Sequence, residues 1–295
     1  MLRTLTAACA LLALATPALA QDEAALREAV AAYEQPSNAE RLAVLTGQLD
    51  AAGLAYEIQT FEGGARGQPM TGSNVIVTLG EGDRDLLLTA HYDAVVLQSG
   101  ELADGLVDNA ASTVALIEAA KVLRDRDLNH RVRVIFLDQE ELGLIGARRW
   151  IEANGTERVT AVVNSDVAAF GDTLMYGENN GERSAFVLTA LREECADRGL
   201  TCVGFPVYPP SDDRAFIAAE VPVVSIGFQN RVGAHQMWLA FNGGENPGLA
   251  EGFVPEVFQL IHSEGDVIEA VDPATVALAA DVYVDVITRL DATAQ

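Results

Sequence analysis

The stretch Val132–Gly146, VRVIFLDQEELGLIG, constrains this chain more than any other. It opens as an apolar, β-branched run (Val132, Val134, Ile135, Phe136, Leu137), which reads as a buried strand. It closes on Asp138, Glu140 and Glu141, and glycine and helix formers follow, so the acids stand where a strand hands over to a helix. Two adjacent carboxylates at the mouth of a buried strand repel each other and lose hydration, so they neutralise or find a partner. A divalent metal is one such partner, leaving one carboxylate to ligate and the other to move protons. A solvated helix start is the other reading, because Glu favours the positive end of the helix dipole. The motif alone leaves both open.

The rest of the chain supplies the frame. Residues 22–34 and 38–52 read as amphipathic helices, the second with Ser37 as N-cap and Gly53 as stop. LAYEIQTF (54–61), NVIVTL (74–79), DLLLTAH (85–91), VTAVVNSD (159–166) and PVVSIGF (222–228) read as strands, with a short one at 173–176. Helices are expected over 109–124, 183–196 and from Asp272-Pro273 to Leu290. Gly233–Val254, rich in glycine, reads as a long loop with some local helix. Strands alternating with helices imply a doubly wound α/β fold with a largely parallel sheet. Ligands of such sheets bind outside the carboxyl ends of the strands. His91, Glu140, Glu141 and Asp166 all fall there.

The first twenty residues, MLRTLTAACALLALATPALA, combine Arg3, an apolar core and an Ala18-Leu19-Ala20 cleavage site. They read as a secretory signal peptide, leaving residues 21–295 as a single exported domain, periplasmic or secreted. No later run approaches transmembrane length. With 43 Asp and Glu against 19 Lys and Arg, the net charge is −24, which disfavours nucleic acid as a partner. A soluble monomer acting without a membrane is expected. In an oxidising compartment Cys195 and Cys202 are expected to form a disulfide, whose short loop contributes about 2.5 kcal/mol in the chain-entropy model.

Further metal-compatible groups share the rim. His91 and Asp93 form H-x-D on leaving a strand, where a carboxylate next to a ligating histidine fixes its tautomer. Asp108 stands in GLVDNAAS, where an ordinary helix N-cap is the competing role. Asp166 ends VVNSD, and His262 stands in IHSEGD four residues before Asp266. Any one of these has a bland explanation. The whole set, at strand ends and helix starts, is much harder to explain so.

Taken in order, H-x-D, G-x-x-D-N, E-E-x-G-L, N-x-D and I-H-x-x-x-D resemble the co-catalytic zinc peptidases, family twenty-eight of the metallopeptidases. That family includes secreted bacterial leucine aminopeptidases and the glutamate carboxypeptidase II type. The resemblance runs from about His91 to the C-terminus. It implies a three-layer α/β/α sandwich with a mixed, mostly parallel central sheet, and two zinc ions. Asp108 would bridge the ions. His91 and Asp166 would complete one site, Glu141 and His262 the other. Glu140 would be the general base, and Asp93 the partner of His91. The resemblance also implies a cis bond between Asp108 and Asn109. The chain departs from the family in three places. Ala111-Ser112 replaces the usual Ser-Gly, Asp213 in SDDRAF replaces a histidine, and Ile261 replaces the tyrosine that some members use on the oxyanion. Tyr208, His235 or a metal ion is left for that last role, with Asp212 a further candidate for substrate contact.

The implied activity is an exopeptidase on peptides, most consistent with an aminopeptidase because acids hold an ammonium group. Arg214 and Arg231 are the residues able to hold a carboxylate instead. A single-zinc glutaminyl cyclase is the nearest rival. The deacylases that share this order of ligands insert a domain before the last histidine, for which the interval from Asp166 to His262 leaves no room. An exported zinc- or solute-binding protein would not need Glu140.

Overall fold

The computed structural model describes residues 23–65 and 67–293; the expected signal peptide lies outside them. Two helices come first, α1 (Glu23–Ala31) and α2 (Asn38–Ala51). Then follow β1 (Tyr56–Gly63), β2 (Met70–Leu79), β3 (Asp85–His91), α3 (Ala111–Arg124), β4 (Arg131–Leu137), α4 (Ile145–Asn154) and β5 (Val159–Ala168). The second half holds β6 (Thr173–Gly177), α5 (Ala185–Arg198), β7 (Cys202–Phe205), α6 (Asp213–Ala218), β8 (Val223–Gln229), α7 (Arg231–Asn242), α8 (Val257–Leu260) and α9 (Pro273–Thr293).

All eight strands form one sheet in the order β1-β2-β4-β3-β5-β8-β6-β7. The central run β4-β3-β5-β8 is parallel, as is β6 with β7, and the other pairings are antiparallel. The mixed, mostly parallel α/β/α sandwich is therefore present. Alternation along each central strand divides the core. On β4, Val132, Val134 and Phe136 join a large core with α1, α3 and α9, while Ile135 and Leu137 join a smaller one with Trp150 and Phe216 of α4 and α6.

Local chemistry explains the boundaries. Ser37 caps α2, its Oγ accepting from the Glu40 amide at 3.2 Å while donating to the Glu40 carboxylate at 2.7 Å. Two expectations are corrected. The segment expected as a long loop from Gly233 begins as helix α7, because Asn230 caps it and Gly233, Ala234 and Met237 form a buried stripe that its glycine content hides. The helix expected from Asn109 starts at Ala111, after a wide turn over Leu106–Ala110. β7 went unrecognised because four residues are too few to show a period. Cys195 and Cys202 are joined, tying α5 to β7.

Candidate metal centre

Strand register brings the first ligands level. His91 pairs with Leu137, and Thr89 with Asn164, so Asp166, two residues past Asn164, stands beside His91 at the same rim. The loop after Leu137 delivers Glu140 and Glu141, the wide turn delivers Asp108, and His262 follows α8.

Asp108 is the shared member. His91 Nε2 lies 3.1 Å from its Oδ1, and His262 Nε2 lies 3.3 Å from its Oδ2. His91 Nε2 is also 3.8 Å from Asp166 Oδ1, and His262 Nε2 is 3.1 Å from Glu141 Oε2. Two triads result, His91–Asp108–Asp166 and Asp108–Glu141–His262, each with its ligand atoms within 4.8 Å of one another. Asp108 Oδ1, Glu141 Oε1 and Asp166 Oδ1 are buried without a hydrogen-bond partner. Such oxygens cost stability unless something positive meets them. An imidazole and carboxylate donor set fits zinc.

Asp108 is not a helix N-cap: no side-chain cap bond is made at this turn, and its carboxylate goes to the two histidines. The Asp108–Asn109 bond is cis. Asn109, not singled out from the sequence, ties the bridging turn to β5. Its Nδ2 donates to the Ser165 carbonyl at 3.0 Å and its Oδ1 accepts from the Val167 amide at 3.1 Å. Ser112, one of the family departures, accepts from the Ala168 amide at 3.1 Å, so it fastens the same strand end. Asp266 accepts from the amides of Val107 and Asp108 at 2.5 and 3.2 Å, linking the His262 segment to the Asp108 turn.

Asp93 does more than face His91. Its Oδ1 lies 3.4 Å from His91 Nδ1 and also accepts from the Glu140 amide at 3.1 Å, while Oδ2 accepts from the Glu141 amide at 3.2 Å. His91 Nδ1 also meets the Asp93 main-chain carbonyl at 3.2 Å, so Asp93 positions both the histidine and the two-glutamate loop. Asp138 anchors that loop further by accepting from the Ser73 amide at 2.8 Å. Gln139, Val167 and His262 all have φ between +56° and +60°. Non-glycine residues in this region, above all the β-branched Val167, carry strain of about 1–3 kcal/mol each, and such strain collects at functional sites.

The electrostatics are those of an acid cluster. Burial pushes the Glu140 carboxyl up to about 10, against the pull of His91 and with help from Asp212, Asp166 and Asp93. Glu141 is raised by burial, opposed by His262. Burial also acts to raise Asp108, but the adjacent imidazoles of His262 and His91 prevail and hold it below the usual range. Bonds from Asp108 and Glu141 carry His262 up to about 10.

A cavity of about 350 Å³ opens beside the triads, with Asp108, Glu140, Asp166 and His262 on one side. Met175, Met237, Phe241, Val257, Phe258 and Ile261 supply apolar wall, and Tyr208 joins them. Among the described residues, no arginine or lysine lines it. Asp212 is fully buried, and neither of its carboxylate oxygens has a partner. It makes no side-chain cap bond to α6, whereas Asp213 accepts from the Ser211 amide at 3.0 Å. His235 stands apart from this assembly, exposed on α7 with Nδ1 2.8 Å from the Arg231 carbonyl.

The sequence matches the model of peptidase family M28 over residues 74–287. The chain belongs to that family. None of the curated proteins matches it in sequence. Among solved structures, a Zn-dependent exopeptidase from Parabacteroides distasonis is 18% identical with a TM-score of 0.70, over 90% of this chain and 97% of that one. A glutaminyl cyclase from Porphyromonas gingivalis is 20% identical with a TM-score of 0.69, over 92% and 98%. A zinc aminopeptidase from Bacillus subtilis is 20% identical with a TM-score of 0.60, over 77% of this chain and 51% of that one, so this chain spans about half its length. These likenesses show the shared M28 fold. The family match agrees with a zinc metallopeptidase, the enzyme class implied by the ordered motifs.

Proposed function

We propose that the protein is an exported di-zinc aminopeptidase that removes N-terminal residues with apolar side chains from peptides. The observation that carries this is Asp108, shared by two ligand triads in each of which buried carboxylate oxygens are left without a hydrogen bond. His91 and Asp166 would hold one ion, Glu141 and His262 the other, with Asp108 between them. Zinc bound there supplies Lewis acidity and lowers the pKa of water.

The chain's own residues do the rest. Glu140 belongs to neither triad yet lines the cavity, so its carboxylate is left to take a proton from the attacking water and return it to the leaving amine. Burial keeps it protonated in the metal-free site. Positive charge placed among Asp108, Glu141 and Asp166 lowers that value towards the range of a working base. Tyr208 is kept protonated by burial and by Asp166, so its hydroxyl serves as a donor to the substrate carbonyl at the cavity wall.

The cavity supports the aminopeptidase reading. Its acids suit a substrate ammonium and its apolar walls suit an aliphatic or aromatic side chain. The two arginines able to hold a carboxylate are elsewhere: Arg214 donates to the Tyr208 carbonyl at 2.9 Å, and Arg231 is exposed on α7. The Cys195–Cys202 disulfide supports export to an oxidising compartment. No described helix is long and apolar enough to cross a membrane. In this reading the mature protein starts at Gln21 and acts as a monomer.

The fold shared with the Porphyromonas gingivalis cyclase favours a second reading, cyclisation of N-terminal glutamine at one zinc. The purified protein should cleave leucine-anilide with zinc and lose that activity to a chelator. Turnover of N-blocked peptides alone, or of glutaminyl substrates alone, would overturn the aminopeptidase reading.

A further inference from the structure

The M28 match begins at residue 74, yet α2, upstream of it, grips the turn that carries His91 and Asp93. Arg41 is fully buried. Its Nε donates to the Tyr92 carbonyl at 2.7 Å, and its Nη1 and Nη2 donate to the carbonyls of Asp104 and Gly105 at 2.5 and 3.0 Å. One turn earlier, Asn38 closes a two-way pair with Ala94. Its Oδ1 accepts from the Ala94 amide at 2.9 Å and its Nδ2 donates to the Ala94 carbonyl at 3.3 Å. Tyr92 and Ala94 flank Asp93, so α2 holds the backbone on both sides of it.

Gly105 opens the turn that delivers Asp108. It has φ +60°, and the Cβ it lacks would stand 2.6 Å from Ala94 Cβ and 3.2 Å from Arg41 Nη1. Three segments therefore meet at one point with no space for a side chain. The Arg41 guanidinium makes its hydrogen bonds to main-chain carbonyls rather than to a carboxylate. A planar fork of donors is suited to fixing several carbonyls at once, which an ammonium cannot do.

We infer that Arg41 and Asn38 are positioning residues of the metal centre, holding the His91–Asp93 turn and the Gly105–Asp108 turn in register so that His91 and Asp108 face one ion. This rests on the rim being a zinc site. Groups that orient metal ligands typically change affinity 10–100-fold when removed, and two residues from outside the matched segment would act this way here.

The test is zinc affinity of the chelator-stripped full-length protein, measured by competition with a chromogenic chelator, beside thermal unfolding of the metal-free forms. Arg41→Met should weaken zinc binding about 10–100-fold. Arg41→Lys should recover only part of this, and Asn38→Ala should show a smaller loss; kcat should fall more than KM changes. Wild-type zinc affinity in folded variants, with only the metal-free melting temperature lowered, would overturn the inference. Should Arg41→Met fail to fold, Arg41→Lys and the half-buried Asn38→Ala decide it by the same criterion. A wild-type protein that takes up no zinc would sink the zinc reading itself, and the inference with it.

Discussion

At the opposite end of the sheet from His91, just before β4, His130 is buried against Asp291 of α9. The residue types match those at the rim, and the separation, 3.1 Å from Nδ1 to Oδ1, matches that of His91 Nε2 from Asp108. The surroundings differ. Asp291 also accepts from the amides of Asn129 and His130 at 3.0 and 2.7 Å and from Asn129 Nδ2 at 3.1 Å. At the rim, Asp108, Glu141 and Asp166 each keep a buried oxygen without a partner. A histidine beside an aspartate is thus no mark of a site. Buried acceptors left open together point to one, because a single cation relieves several at once.

That contrast is broken most sharply by substitution at each end. Glu140→Gln should retain zinc and lose turnover by roughly 10³-fold, the scale of a general base. Wild-type activity in the purified variant would remove Glu140 from the mechanism. Asp291→Ala should do the reverse. It strands the buried amide of His130 and the part-buried amide of Asn129 and should cost about 2–3 kcal/mol in urea unfolding while leaving kcat unchanged.

A smaller effect separates the two ends by pH. In the metal-free protein burial pushes Asp138 and Asp266 up to about 7 and Asp212 up to about 8. Their unfolded values are near 3.9, so between pH of about 4 and 8 the folded state binds more protons than the unfolded state. Stability therefore falls as pH rises through that window. His262 adds the same sign above about 6.5, its folded value being raised to about 10 by Asp108 and Glu141. The chelated protein should melt lower at pH 8 than at pH 5, and zinc should flatten or reverse that slope. A metal-free protein more stable at pH 8 would contradict the placing of these acids.

How much of this was legible follows from how local each signal is. The rim positions of His91, Glu140, Glu141 and Asp166 could be read because apolar runs end just before them. Asp108 and His262 lie in loops, so only the ordered motifs pointed to them. Burial of His130 could not be read, since its cover comes from α9 at the far end of the chain. Arg41 was equally hidden: it looks like a surface residue of an amphipathic helix, and its carbonyl partners Tyr92 and Gly105 lie 51 and 64 residues away. Asp93 was recognised as the partner of His91, but its hold on the Glu140 and Glu141 amides depends on how the loop after β4 folds back. Asp212 adjoins Asp213 in SDDRAF, and only its buried oxygens without a partner separate it from Asp213, which accepts from the Ser211 amide.

Zinc stoichiometry tests the central claim most directly. The chelator-stripped protein would be titrated with zinc and weighed by native mass spectrometry. Wild type should bind two ions per chain, and Asp108→Ala should lose both together, because Asp108 belongs to both triads. One ion per chain, or a stoichiometry unchanged by Asp108→Ala, would contradict a shared, two-ion centre.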